Sequence, residues 1–211
     1  MGKTKVNGEP TRRRPQHSDE KLLAAACAVF ARDGFAGATV DAIAASCGAT
    51  KPTLYARFGS KADLYRATIV HERDVFLTRL FAAYAAAEDL PVEEIVERAV
   101  FAWFDFADRN PDGFRLLLAA VPEAPAADLI EEMRTAVVAR VTGLIEGAMG
   151  RLGQQHPDTA GLVAAMIVGA CIDGARYLQG DPGMTPARAA KVGTAFVVGA
   201  VWRLNRPLLD V

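Results

Sequence analysis

Residues 39–65 read TVDAIAASCGATKPTLYARFGSKADLY, and the spacing of capping and apolar residues in this stretch decides the fold. Thr39 is placed to cap a helix: its hydroxyl can accept from a free first-turn N–H, and Asp41 then sits near the positive helix end. Val40, Ile43 and Ala44 recur at the three-to-four spacing of one buried helical face. Gly48 supplies the left-handed backbone of a tight exit. Thr50 caps a second short helix, and Pro52 is tolerated in its first turn, where N–H groups have no intrahelical partner. Leu54 and Phe58, four apart, are expected to pack inward. Pro52, Thr53 and Ala56 then point outward, flanked by Lys51, Tyr55 and Arg57. Gly59 closes that helix, and Ser60 with Asp63 makes a capping box that restarts the chain as a longer one.

Two short helices joined by a glycine turn form a helix-turn-helix, a unit whose second helix enters a DNA major groove. A solvated helix face ordinarily carries several Glu and Lys. Here no acidic residue occurs from Cys47 to Ala62. Lys51, Tyr55, Arg57 and Lys61 are expected to hold phosphates, with Thr39 and Thr50 adding contacts at helix starts. Base reading falls to Thr53, Pro52 and Ala56, none of which makes the bidentate bonds of Asn, Gln or Arg. Apolar contact with thymine methyl groups, one hydroxyl bond and the shape and spacing of half-sites are the expected sources of specificity.

The longer stretch FARDGFAGATVDAIAASCGATKPTLYARFGSKADLY, residues 30–65, resembles the TetR family of one-component transcriptional regulators. The resemblance rests on Phe30, Gly34-Phe35, Thr39, Ile43-Ala44, Gly48, Leu54-Tyr55, Phe58 and Ser60-Lys61, and does not extend into the C-terminal two-thirds. It implies an all-α protein: an N-terminal three-helix DNA-binding domain over residues 18–65, then a C-terminal bundle of about six helices over 66–211 for ligand binding and dimerisation. It further implies a sequence-specific regulator, a repressor released from a palindromic operator when a small molecule binds the C-terminal domain. No cofactor is implied.

Charge is distributed accordingly. The net charge is −1, yet residues 1–66 hold 11 Lys and Arg against 6 Asp and Glu, and the remainder holds 13 against 19. A basic head on an acidic body is the pattern of a DNA-binding module joined to one with another task. Residues 1–17 lack apolar periodicity and read as a flexible basic arm, in which Arg12, Arg13 and Arg14 either remain solvated or lie along phosphates and an adjacent minor groove.

Ser18 caps the first helix, Leu22, Leu23, Ala26, Val29 and Phe30 form its buried stripe, and Gly34 is expected to end it. Beyond the connector helix, Pro91 opens a helix carrying Phe101, Trp103, Phe104 and Phe106. Asn110-Pro111 breaks it, a short helix is expected from Phe114 to Ala120, and a long one from Asp128 to about Leu152. Two more follow, roughly 159–179 and 185–205, with QGDPGMTP as the turn between them. These last two are rich in small residues. Glycine inside a helix costs about 0.5–1 kcal/mol relative to alanine, so close packing is the expected reason. That packing is either intrachain core or a two-fold four-helix interface, and the resemblance implies the second, through Gly169, Ala170, Gly193, Phe196, Val197 and Ala200. It also implies a cavity for an unknown small molecule, with Phe104, Met133, Val137, Met166 and Arg176 as candidate walls.

Other classes find less support. Cys27, Cys47 and Cys171 have no CxxC spacing, and His17, His71 and His156 are scattered, so neither disulfides nor a metal are expected. No Ser/His/Asp or Cys/His set marks an enzyme, and adjacent Glu93-Glu94 and Glu131-Glu132 fit helix starts. A constitutive architectural DNA protein stays open. The apolar runs Leu162–Ile172 and Val192–Trp202 stop at Asp173 and Arg203, short of a membrane span, and the amino end carries no signal-peptide pattern. A cytoplasmic protein with no membrane partner is the expectation.

Overall fold

The computed structural model describes residues 18–86, 90–118, 124–151, 159–181 and 183–203. Every regular element among the described residues is helical: α1 Asp19–Gly37, α2 Val40–Cys47, α3 Lys51–Phe58, α4 Lys61–Ala85, α5 Val92–Arg109, α6 Pro111–Leu117, α7 Ala127–Arg151, α8 Ala160–Gly180 and α9 Pro186–Arg203, with a 3-10 turn at Ala124–Ala126. Arg12, Arg13 and Arg14 lie outside the described residues.

Helix boundaries follow the local chemistry. Ser18, Thr39, Thr50 and Ser60 each accept a backbone N–H at a helix start, and Ser60 and Asp63 cap reciprocally. Such caps are worth about 1 kcal/mol each. Gly34 leaves helical geometry as expected (φ 70°, ψ 172°), but the chain resumes one last turn to Gly37. Gly48 takes the left-handed conformation (φ 69°, ψ 20°), and a Cβ there would meet nothing within 4 Å. Its glycine therefore serves the turn and not a close approach. The short helix of the body begins earlier than expected, at Pro111 instead of Phe114, and stops at Leu117. Asn110 caps it by accepting from Gly113 N at 3.3 Å, and proline fits the first turn, where no N–H partner is lost.

Leu22, Ala26, Phe30, Ile43, Leu54, Leu64 and Ile69 are all at most 1 % exposed and bind α1, α2, α3 and the start of α4 into one core. Each fully buried aliphatic side chain contributes about 1.5–3 kcal/mol. Phe58 packs against this core only partly buried. α4 then runs unbroken past residue 65 and buries Phe76, Leu80 and Tyr84. It joins the head to a body in which α5 packs between α4, α8 and α9, and α7 packs on α8. Counting the distal part of α4, the described body has six helices.

By length and composition α8 could cross a membrane, its apolar window reaching a mean hydropathy of 1.5. Asp173 does not interrupt it as expected from sequence, because small and apolar residues continue to either side. Packing accounts for part of that apolarity: Val163, Ala164, Ile167, Val168, Cys171, Ala175 and Leu178 are buried within the chain. On the opposite flank Leu162, Met166 and Tyr177 are each more than 60 % exposed.

Candidate functional site

The exposed side of α3 is built by elimination. Leu54, 1 % exposed, anchors the helix, which leaves Pro52, Thr53, Tyr55, Ala56 and Arg57 outward. Thr50 and Thr53 share a hydroxyl–hydroxyl bond of 2.8 Å, so the reading face is ordered from its own cap. Among the described residues, Lys51, Arg57 and Lys61, the cations expected to hold phosphate, each have a local partner. Lys51 Nζ donates to Asp41 Oδ2 at 2.9 Å, which pins the start of α3 to the start of α2. Arg57 pairs with Asp19, pinning the end of α3 to the start of α1. Lys61 donates to the Ala36 carbonyl at 3.3 Å and lies 4.7 Å over the Phe35 ring.

Sequence reading placed Asp19 and Asp41 only as helix-start charges and missed this pairing. Exposed pairs contribute about 0–1 kcal/mol, so a phosphate can displace the carboxylate at little cost. The hydrogen bond and charge of Asp41 raise the Lys51 pKa above its ordinary value, so Lys51 stays cationic at any working pH. The surface is a small-residue ridge with oriented cations at both ends. Its chemistry suits a polyanion with a groove.

A second site lies in the body. A cavity with ≈ 70 Å³ open to water-sized spheres sits between α4, α5, α7, α8 and α9. Val92, Ile95, Val96, Ala99, Val100 and Trp103 of α5 form one wall, and Val141, Leu144, Ile145 and Ala148 of α7 another. None of the lining side chains is charged. Its two polar groups satisfy each other, Trp103 Nε1 donating to Tyr84 Oη at 3.3 Å. Burial raises the Tyr84 phenol well above its usual range and pushes Cys171 up to about 12, so both stay neutral. The site can hold an uncharged apolar group and offers no nucleophile. Its room is a few waters' worth at about 10–15 Å³ each, so a larger guest requires the helices to part.

The walls proposed from sequence are not at this cavity. Met133 and Val137 are buried in α7 one turn or more before its lining begins. Met166 is 63 % exposed on the far side of α8. Arg176 donates to the Leu118 carbonyl and pairs with Asp173 at 2.7 Å. Phe104 instead floors a separate, open hollow of ≈ 360 Å³ between α8 and α9. The sequence signal of this cavity's wall is the strongly one-sided α5 pattern at 92, 95, 96, 99, 100 and 103, with a small Ala99 in its middle.

The residues expected at a subunit interface divide in two. Gly193 faces its own chain: a Cβ there would lie 2.7 Å from Val100 Cγ1 and 3.3 Å from Phe104. Val197 is 5 % exposed and lines the internal cavity. Ala170 and Phe196 do point outward, and Gly169 and Ala200 are half-buried. Together with Leu162, Met166, Tyr177 and Val192, all more than 60 % exposed, they leave an apolar face on α8 and α9.

Head, connector and cavity-bearing body together define a helix-turn-helix protein with a C-terminal helical bundle. Residues 22–68 match the family model of bacterial regulatory proteins, tetR family, and residues 91–192 match the tetracyclin repressor-like C-terminal domain. The chain is 31 % identical over 159 residues to the HTH-type transcriptional activator FasR of Mycolicibacterium smegmatis, covering 74 % of this chain and 70 % of that one. A TetR-like transcriptional regulator from Rhodococcus sp. RHA1 shares the fold with a TM-score of 0.77 at 24 % identity, over 90 % of this chain and 99 % of the other. FadR from Bacillus subtilis, solved in complex with stearoyl-CoA, has a TM-score of 0.73 at 15 % identity, over 86 % and 98 %. The chain belongs to the TetR family of bacterial transcriptional regulators. It is a DNA-binding regulator and not an enzyme.

Proposed function

We propose that the chain works as a homodimeric repressor that binds a palindromic operator through two copies of α3 and leaves it when an apolar small molecule occupies the cavity. The observation that carries this reading is the outward face of α3, where Pro52, Thr53 and Ala56 lie exposed between cations held in place by Asp19 and Asp41. Lys51, Tyr55, Arg57 and Lys61 take phosphates, with Thr39 and Thr50 at the helix starts, and Arg12, Arg13 and Arg14 extend the electrostatic footprint along the duplex. The apolar face of α8 and α9 pairs with its copy about a two-fold axis, since a patch of this kind marks an interaction surface. Residues 18–65 would then do the reading and 66–211 the sensing and pairing, in the cytoplasm where the DNA is.

Effector chemistry follows from the lining. An uncharged, apolar cavity selects a hydrocarbon portion and leaves any polar head outside. Acyl thioesters such as the stearoyl-CoA held by FadR have that division, and a panel of acyl-CoAs of graded chain length is the first set to assay. Because the cavity is small when empty, a long chain binds only the state in which α5 and α7 have moved. This gives the differential affinity that a ligand needs to shift a population. Selection of binding sites from random duplex DNA tests the reading. Two inverted half-sites bound by one dimer, and release by a panel member that also raises the melting temperature, are the expected results. Absence of any preferred duplex at low salt would end it.

A further inference from the structure

Aromatic and thiol side chains aside, Thr68 and Glu72 are the only polar or charged side chains buried among the described residues, and they sit one turn apart on α4. Thr68 satisfies itself within the helix, its hydroxyl donating to the Leu64 carbonyl at 2.8 Å. Glu72 does not. Its Oε2 accepts from Asn110 Nδ2 at 2.7 Å, at the corner between α5 and α6. The buried Cys27 thiol of α1 lies near the same carboxyl group; burial and then the Glu72 charge raise its pKa well above the ordinary value, keeping it protonated. The adjacent Arg73 pairs with Asp74 instead, at 2.8 Å. A carboxyl group buried without a cation is costly, so stability is a poor reason for its presence.

The surroundings are shaped to admit it. Asn110 has a second task, accepting from Gly113 N to cap α6. A Cβ at Gly113 would collide with Glu72 Oε2 and Asn110 Nδ2, so only glycine lets the corner close on the carboxylate. Three parts of the molecule therefore meet around Glu72: the head through α1, which packs on α4 and α6, the connector α4 itself, and the body through Asn110. The same α5 that ends at Asn110 walls the cavity up to Trp103, seven residues or roughly 10 Å earlier along the helix.

We propose that Glu72 is the positioning residue that carries cavity occupancy to the DNA-binding head. A shift of α5 moves Asn110, Asn110 moves or releases the Glu72 carboxylate, and α1, which packs on both α4 and α6, takes up the change and braces α3 through the Asp19–Arg57 pair. This rests on the reading that the cavity takes an effector.

A double-mutant cycle on the full-length protein and its selected operator tests it without any ligand. Ala99→Leu places a permanent occupant in the cavity. Asn110→Ser keeps a capping oxygen for α6 but has no amide to reach Glu72. The first change is expected to weaken operator binding about tenfold in the wild-type background, within the range of measured couplings. In the Asn110→Ser background the loss should fall to about twofold or less, although positions 99 and 110 lie roughly 16 Å apart on α5 and would add if independent. Glu72→Gln retains an acceptor oxygen and should keep the tenfold effect, whereas Glu72→Leu should abolish it. The salt dependence of operator binding should be the same throughout, since no phosphate-facing residue changes. Equal losses in both backgrounds, in variants that melt cooperatively, would overturn the role of Glu72 and leave the effector reading standing. No loss from Ala99→Leu even in wild type would overturn both.

Discussion

The outward faces of α3 and of α8–α9 are both exposed, and they are opposites in composition. α3 shows small and polar side chains, with its cations tied to Asp19 and Asp41. The α8–α9 face shows Leu162, Met166, Tyr177, Val192 and Phe196, each at least 60 % exposed, with small residues between them. The first surface is comfortable in water and gains from a polyanion, so it suits reversible binding that salt can weaken. The second is poorly suited to water and gains most from being covered for good, as in an obligate dimer. A regulator needs both: one contact that can be given up and one that holds the two heads at a fixed separation.

The largest expected effect breaks the covered side of that comparison. Phe196→Asp puts a charge into the apolar face, and sedimentation should show monomers where the proposed wild-type dimer is expected, with operator affinity down a hundredfold or more, about 3 kcal/mol. A variant that still sediments as the wild type would remove the face from the interface. Comparable in size but confined to the head, Leu54→Ala takes the anchor from beneath α3 and should cost about 2–5 kcal/mol in urea unfolding monitored there. Duplex binding should fall while dimerisation persists.

Smaller effects sharpen the exposed side. Lys51→Ala should weaken all duplexes alike and lower the salt slope by about one, as loss of a single phosphate contact does. An unchanged slope would show that Lys51 serves Asp41 and not DNA. Asp41→Asn should be the mildest, with stability changed by about 0.5 kcal/mol or less. Operator affinity should rise a few-fold, because Lys51 no longer has to leave a carboxylate. A fall in affinity would mean that the pair orients α3 more than it competes for it.

How much of this was legible in the sequence depended on how local the physics was. The caps at Thr39, Thr50 and Ser60, the left-handed Gly48 and the burial of Leu54 are settled within a few residues, and reading along the chain found them. The pairs Lys51–Asp41 and Arg57–Asp19 span 10 and 38 positions and depend on the angles between helices, which no local pattern encodes. In the body the difficulty was different. α8 and α9 are apolar on more than one side, so periodicity could not say which side met the chain and which met solvent. Gly193 and Met166 were therefore assigned to each other's surroundings: Gly193 packs on Val100 inside the subunit, and Met166 stands outside it.

The two-sided apolarity of α8 also bears on how the chain comes into being. A newly made subunit that has buried Val163, Ile167 and Cys171 still shows water the opposite flank of the same helix, which in the proposed dimer a twin covers. Its melting point should then climb as the solution is made more concentrated, since mass action supplies the missing neighbour. Where copies are few, the lone subunit is the species exposed to proteases, and scarcity itself would limit how long the regulator survives.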